Sequence, residues 1–530
     1  MKRALAHHPQ SSLTAGLQLQ EAAIVMSERD NVAVAKRDIA RGTKLNFQGR
    51  IIVVADFIPR GHRFALRDIR KGQNVSQYSY PFGISKGIGS GRRVERSNIS
   101  ESAINYESLL NNYAFRKPLS PAVYRPGLKR SFLGYRRKNG EAGTRNYYVI
   151  IPTSLCASDV AKRVADQLDS DRRLQKKYPH IDGIIAAAHT EGCGSSDGII
   201  IDRLLRTLKN TIANSNVCGA LVVDLGCEKI SSDAFLKYAA GGTACGKPLD
   251  RVSIQECGGT GKTIAAAKDI VLKRLGRLSI KREEVPIKRL VVGTECGASD
   301  SFSGITANPV IGRTVDKIIG AGGAAILSET PEMIGAEGAL VGRMVSKKVA
   351  RAFIAGVRWY KDLAKKLGVP MDGNFVPGNE KGGLVNLTLK SLGSILKGGT
   401  TPIVDFLEYG ERIGKQGLSI MNGPGNDLES MTGIAASGAN IFLFSTGGGA
   451  TEGNSIAPVI KIASTSGLFN ALRDDVDVNA GVLMDDNVSL DAFSDTLLDE
   501  VVAVASGKKT RAEIWKKRSF QIWTAGKLSL

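Results

Sequence analysis

Tyr147-Tyr148-Val149-Ile150-Ile151-Pro152 is an unbroken run of aromatic and β-branched side chains, and Ser158–Leu168 behind it has helical spacing. An apolar run of this length, bounded by a helix, predicts a strand buried on both faces of a parallel sheet. The pattern repeats downstream. Runs at Gly183–Ala188, Ala220–Leu225, Arg251–Gln255, Arg289–Val292 and Ala324–Leu327 alternate with helical segments such as Gly198–Leu208 and Thr263–Leu275. Strand–helix alternation predicts a doubly wound α/β fold. Further runs at Thr401–Leu407, Leu418–Met421, Asn440–Phe444 and Val459–Ala463 predict a second α/β lobe, interrupted by turns such as Gly447-Gly448-Gly449.

Upstream the texture changes. Asn31–Ala35 and Gly49–Val54 read as short strands, separated by turn signals at Arg41-Gly42-Thr43 and Pro59-Arg60-Gly61-His62. The phrase Asp38-Ile39-Ala40-Arg41-Gly42 returns loosely as Asp56–Gly61 and as Asp68-Ile69-Arg70-Lys71-Gly72, a rhythm that predicts a small β-rich module. The expected division is an extension over 1–27, the β module over 28–98, a linker over 99–145, an α/β catalytic lobe over 146–385, and a second α/β lobe with a tail over 386–530.

Composition narrows the function. The 530 residues are 42% hydrophobic, enough for several domains with cores that need no covalent staples. No apolar run reaches the roughly 18 residues of a membrane span, so no membrane partner is expected. Seven cysteines are odd in number and sparse, against a secreted disulfide framework. The start of the chain lacks an apolar signal region, although residues 1–20 carry no acid, as in some transit peptides. The expectation is a cytoplasmic protein. Of the net charge of +21, most lies in residues 1–150, which hold 26 Lys/Arg against 10 Asp/Glu. Without a nucleic-acid motif, that excess reads as a basic surface or an attraction for a small anionic substrate, and a nucleic-acid partner is disfavoured.

The cysteines point to chemistry. Cys156, Cys193, Cys227, Cys257 and Cys296 each follow a predicted strand. In an open parallel sheet ligands bind beyond the carboxyl ends of the strands. Thiolates meeting there would hold a soft metal: iron, or an iron–sulfur cluster. The bland reading of each is a small buried hydrophobe. His189, next to Cys193 at a strand end, is a candidate acid/base or ligand. Gly258-Gly259-Thr260-Gly261-Lys262-Thr263 suggests a phosphate loop, but Glu256 stands where that spacing needs glycine. A nucleotide-binding enzyme and a non-catalytic basic binding protein therefore remain as alternatives. Glu295–Pro309 and Pro377–Gly383 combine glycine, hydroxyls, amides and a lysine, which suits a polyhydroxylated anion.

These phrases, with Gly61-His62-Arg63-Phe64-Ala65-Leu66-Arg67-Asp68-Ile69, Gly134-Tyr135-Arg136-Arg137, Leu225-Gly226-Cys227-Glu228, Ser328-Glu329-Thr330-Pro331-Glu332 and Ser445-Thr446-Gly447, run in order over about residues 28–510. The chain resembles the altronate/galactarate dehydratase family of sugar-acid hydro-lyases. The resemblance implies an N-terminal SAF module of β-clip type, a larger α/β catalytic part, a homo-oligomer, and dehydration of an aldonic or aldaric acid to a 2-keto-3-deoxy acid. It implies iron, as Fe2+ or a cluster, with another divalent metal as the alternative. The stretch Gly91–Asn98 holds Glu95 and no histidine, which sets the chain nearer the galactarate type. It departs at Gly448, where the family carries arginine, and at Glu380, where it carries lysine.

The reaction removes a proton beside a carboxylate and expels a β-hydroxyl. A metal stabilises the developing enolate, and a positioned base and acid move the protons. On this reading Cys156, Cys193, Cys227 and Cys296 hold the metal. His62, His189 and Lys381 are catalytic, and Arg145, Asn146, Ser303 and Asn379 bind substrate oxygens. A sulfolactate sulfo-lyase, expelling sulfite instead of hydroxide, is the nearest alternative.

Overall fold

The computed structural model describes residues 16–115, 130–240, 246–486 and 488–524. The opening run forms strand β1 (Tyr147–Pro152), and every one of its residues is buried. It joins β2 (Gly183–Ala186), β3 (Val217–Asp224) and β4 (Leu249–Ser253) in a fully parallel sheet of order β2-β1-β3-β4. The side chains alternate across this sheet as the pleat requires. Tyr148 and Ile150 pack on helices α1 (Leu155–Asp169) and α4 (Thr260–Leu275), while Tyr147, Val149 and Ile151 face the rest of the molecule. Between them come α2 (Ile199–Ala213) and α3 (Ser232–Ala240).

The second sheet has seven strands, all parallel. These are β5 (Val291–Gly297), β6 (Ala324–Leu327), β7 (Ile403–Leu407), β8 (Gly417–Met421), β9 (Ile441–Thr446), β10 (Val459–Ala463) and β11 (Val478–Asn479), in order β7-β8-β6-β5-β9-β10-β11. Phe442 and Phe444 of β9 meet Tyr147, Val149 and Ile151 of β1 in one apolar cluster, so the two sheets share a core. Asn216 pins the junction, donating to the Asn440 and Ile456 carbonyls at 3.0 and 2.8 Å.

The predicted alternation of strands and helices is therefore present, but its division differs. The sheets part between Ser253 and Val291, not at residue 385. Strands β5 and β6, assigned above to the first lobe, lie at the centre of the second sheet. Periodicity marks a strand but not the sheet it enters, because pairing is a long-range choice.

The N-terminal module consists of small three-stranded sheets. It begins earlier than expected: Leu17–Gln18 pairs with Leu45–Asn46, and Ala23–Ile24 pairs with Val34–Ala35. Residues 16–27 thus belong to the module, and residues 1–15 of the expected extension lie outside the described residues. The expected linker is partly structured. Ile99–Ser100 pairs with Ile84–Ser85, Tyr106–Asn111 is a helix, and Ser131–Arg136 pairs with Glu283–Pro286. Its residues 116–129 lie outside the described residues. No described helix is long and apolar enough to cross a membrane.

Candidate active site

Strands β5 and β6 end in buried charge. β5 closes on Glu295-Cys296-Gly297, and β6 runs into Ser328-Glu329-Thr330-Pro331-Glu332. Glu295 and Glu329 are fully buried, Cys296 and Glu332 nearly so. Lys397, itself 0% exposed, donates to Glu329 Oε2 at 2.6 Å, to Cys296 Sγ at 2.9 Å and to Ser394 Oγ at 2.7 Å. Lys390 pairs with Glu332 at 2.9 Å. Asp427 joins from the first turn of the helix Asp427–Ala436. Glu329 is also strained: its φ is +71°, a left-handed conformation that non-glycine residues adopt mostly at turns and functional sites.

The charges do not balance evenly. Burial would raise the Glu332 carboxyl, but Lys390 and Lys397 hold it at about 2. Burial and the Glu332 charge push Glu329 up to about 7, against the pull of Lys397. Burial, then the charges of Glu329 and Asp427, carry Glu295 well above the ordinary carboxylate range. Asp427 is raised well above it too, by burial and by Glu329 and Glu332.

Two groups of candidate ligand atoms lie within 4.8 Å of one another: Cys296 with Glu329 and Glu332, and Glu295 with Glu329 and Asp427. In the first, lysine ammoniums already answer the negative charge. In the second, Glu295 Oε1 and Glu329 Oε1 are buried without a hydrogen-bond partner. Three crowded carboxyl groups whose ionisation is opposed, two of them with an oxygen lacking a partner, are what a divalent cation would satisfy. Hard oxygen donors suit Fe2+, Mn2+ or Mg2+.

The N-terminal module docks on this edge. Arg63, fully buried, donates to Ser301 Oγ at 2.8 Å and to the Gly383 carbonyl at 2.6 Å. Arg60 lies over the Phe302 ring, 4.9 Å from its centroid. Asn386 reaches back to the Phe82 carbonyl at 2.8 Å. Gly383 has φ +89°, and a Cβ there would strike the Gly61 carbonyl, so this seam needs glycine. His62 sits beside the seam, half-buried, with Nδ1 3.0 Å from Arg93 Nη2. A guanidinium only donates, so Nδ1 accepts and Nε2 carries the proton. Burial, with Arg93 and Arg63, lowers the His62 pKa to about 4.

The other expected site residues are dispersed or committed. Both nitrogens of His189 are used by backbone: Nε2 lies 2.9 Å from the Pro152 carbonyl, and Nδ1 accepts from the Glu191 N–H at 3.2 Å. All five N–H groups of Arg145 are engaged, two on Glu513 and three on the Thr144, Val504 and Lys508 carbonyls. Asn146 is buried and bonds Asp182 and the His180 carbonyl. Arg145 and Asn146 thus tie chain segments together at the amino end of β1, far along the strand from the carboxyl edge. Ser303 lies at the docked edge but holds Asp300 at 2.8 Å. Asn379 is also there, with its amide donating to the Ser299 carbonyl and its oxygen accepting from the Val376 N–H. Lys381 is exposed next to the seam.

Of the four expected metal ligands, Cys296 stands apart in the second sheet, whereas Cys156, in the first turn of α1, and Cys193 and Cys227, on loops, are exposed beyond strands of the first. The four do not form one set. The residues not anticipated are Glu329, Glu332, Asp427, Lys390 and Lys397. Glu329 and Glu332 follow a buried apolar strand, the same signal that singled out the cysteines.

Family comparison agrees with the structural division. Residues 21–102 match the Altronate/galactarate dehydratase SAF domain. Residues 134–279 match the D-galactarate dehydratase/Altronate hydrolase second domain, and 287–528 the D-galactarate/Altronate dehydratase C-terminal domain. The chain belongs to the altronate/galactarate dehydratase family. It is 34% identical to the altronate dehydratase of Bacillus subtilis, over 95% of this chain and 99% of the relative. It is 31% identical to the galactarate dehydratase (L-threo-forming) of Escherichia coli, over 93% of this chain and 94% of the relative. It is also 31% identical to the (2R)-sulfolactate sulfo-lyase subunit beta of Chromohalobacter salexigens, over 74% of this chain and 96% of the relative. Overall identity does not place the chain nearer the galactarate type, as the Glu95 region had suggested; the altronate dehydratase is slightly more similar.

Proposed function

We propose that this chain is a cytoplasmic, metal-dependent hydro-lyase that dehydrates an aldonic or aldaric acid to a 2-keto-3-deoxy acid. One observation carries the reading. The SAF module seats Gly61–Arg63 on Ser301, in the loop that leaves the strand bearing Glu295 and Cys296, and on Gly383, in the turn between two helices. The SAF module is thereby fixed to the C-terminal domain, which carries the buried acid–lysine cluster. A cation held by Glu295, Glu329 and Asp427 would supply Lewis-acid stabilisation of an enolate.

The protein's own groups supply the rest. Without an ion Glu329 lies at about 7; a cation beside it would hold the carboxylate ionised and make it a ligand rather than a base. Lys397 donates to Glu329 Oε2 and would help hold that charge in place. His62 is neutral with its proton on Nε2, so it offers a hydrogen bond to a substrate oxygen. A bound carboxylate would offset Arg93 and Arg63 and raise the histidine's basicity. Lys381 adds positive charge at the mouth. Arg145, Asn146, Ser303 and Asn379 act by holding loops, and His189 by holding the turn after β1.

Purified protein supplied with Fe2+ or Mn2+ should turn over altronate or galactarate to a 2-keto acid. His62→Asn should cut that turnover at least tenfold while leaving the free energy of unfolding within about 1 kcal/mol of the parent. Release of sulfite from sulfolactate, with no dehydration of either sugar acid, would favour the sulfo-lyase reading that the third relative supports. Metal-loaded, folded protein inactive on all three acids would overturn the proposal.

A further inference from the structure

The first sheet carries a second cluster of reactive groups, and the site proposed above uses none of it. Its strand order β2-β1-β3-β4 reverses direction at β1, so the carboxyl ends of β1 and β3 flank a topological switch point, where such folds bind ligands. Cys156 follows β1, Cys193 follows β2 and Cys227 follows β3, on three neighbouring strands. All three thiols are exposed.

Bonds beside the cysteines tie the three loops into a ring. The Leu155 N–H donates to the Glu191 carbonyl at 2.6 Å, joining the Cys156 turn to the Cys193 loop. Glu228 accepts from the Thr153 and Ser154 hydroxyls at 2.9 and 3.1 Å, joining the Cys227 loop to the Cys156 turn. Lys229 donates to the Ser195 carbonyl at 3.1 Å and to Asp197 at 3.0 Å, closing the third side. Each cysteine also precedes or opens a helix: Cys156 lies in the first turn of α1, and α2 and α3 follow the other two.

The remaining cysteines are placed differently. Cys218 is buried with its thiol 3.1 Å from the Tyr147 carbonyl, Cys257 packs on the apolar core, and Cys296 belongs to the other sheet. Cys245 lies outside the described residues. Among the described residues, the ligand groups lying within 4.8 Å of one another include none of Cys156, Cys193 or Cys227. Their triangle is thus wider than a single ion needs. An iron–sulfur core, which places sulfide-bridged irons between its thiolates, takes ligands set farther apart than a single ion does.

We infer that Cys156, Cys193 and Cys227 bind an iron–sulfur cluster on the first sheet, separate from the carboxylate metal site. Cys156, Cys193 and Cys227 would hold three irons of a four-iron core, which would supply an iron open to a small oxygen ligand. The inference stands independently of the proposed hydro-lyase reading.

Full-length protein would be treated without oxygen with ferrous and ferric iron and inorganic sulfide, then desalted. The expected result is iron and acid-labile sulfide in equal amounts, broad visible absorption, and an electron paramagnetic resonance signal on reduction. Cys156→Ser, Cys193→Ser and Cys227→Ser should each lose these signals, whereas Cys296→Ser should keep them. The three thiols are exposed, so circular dichroism should show the serine variants folded. Iron without sulfide, zinc binding with no sulfide uptake, a cluster that survives in all three variants, or its loss in Cys296→Ser would each overturn the inference. Retained stabilisation of the same protein by Mn2+ would show that the carboxylate site stands regardless.

Discussion

Replacing Glu295 with glutamine should strengthen the protein when no ion is present and abolish its response to one. Glu295, Glu329 and Asp427 bring carboxylate oxygens within 4.8 Å of one another. At an effective dielectric of about 20, each ionised pair at that distance repels by about 3.5 kcal/mol. Protonation relieves part of this in the ion-free protein, so the expected gain from Glu295→Gln is about 1–2 kcal/mol. The amide oxygen can keep the 2.8 Å bond from Ser430, so little packing is lost. With an ion the sign reverses. At a hundredfold excess over its dissociation constant, a cation stabilises the wild type by about 2.7 kcal/mol, or roughly 5–10 °C for a domain of this size. Scanning calorimetry of metal-depleted protein, titrated with Mn2+ as a redox-quiet cation, measures both effects. Glu295→Gln should start higher and barely move, and Asp427→Asn should behave alike. If both variants rise with Mn2+ as the wild type does, or if Glu295→Gln starts lower, the carboxylate triad is not a cation site.

Further outcomes follow from the same structure. Arg145→Met strands Glu513 and three carbonyls, so it should cost about 3–5 kcal/mol in denaturant unfolding; a stable variant with a raised KM would instead make Arg145 a substrate ligand. Gly383→Ala should unseat the SAF module, detected as faster proteolysis near residue 115 and loss of turnover, while the two sheets unfold normally. Lys461 is wholly buried with no partner for its ammonium among the described residues, and burial lowers it to about 8. A depressed amine adds least stability below its folded pKa and regains it as pH climbs toward its unfolded value of 10.5. Lys461→Met should therefore stabilise by about 3 kcal/mol at pH 7 and by only about 2 at pH 9. A gain that stays flat over that range would mean the amine is not the source.

Much of the fold was legible because its signals are local. Tyr147–Pro152 reads as a central strand from its unbroken apolar run, and the Asp-Ile-x-x-Gly rhythm of the N-terminal module marks its turns. The position of three cysteines was legible too: Cys156, Cys193 and Cys227 follow three neighbouring strands. What a strand-by-strand reading cannot supply is the sheet to which each strand belongs. That is why Cys296 was grouped with cysteines of the other sheet, and why the lobe boundary was set near 385. Polar residues misled in a related way. Arg145, Asn146, His189 and Asn379 were singled out as chemically capable, and the folded chain spends that capability on backbone carbonyls and amides, which must be satisfied once buried.

By itself the sequence determined the strand and helix periods, the turn glycines and the family, all of which depend on residues close together in the chain. The tertiary structure alone decided which charges share a cavity. Lys397 stands 68 residues from Glu329 and 101 from Cys296, yet it touches both. Glu295 and Asp427 lie still farther apart, but their oxygens converge at one edge. Burial makes these encounters consequential, because a charge removed from water responds to every neighbour within a few ångströms, however distant in sequence.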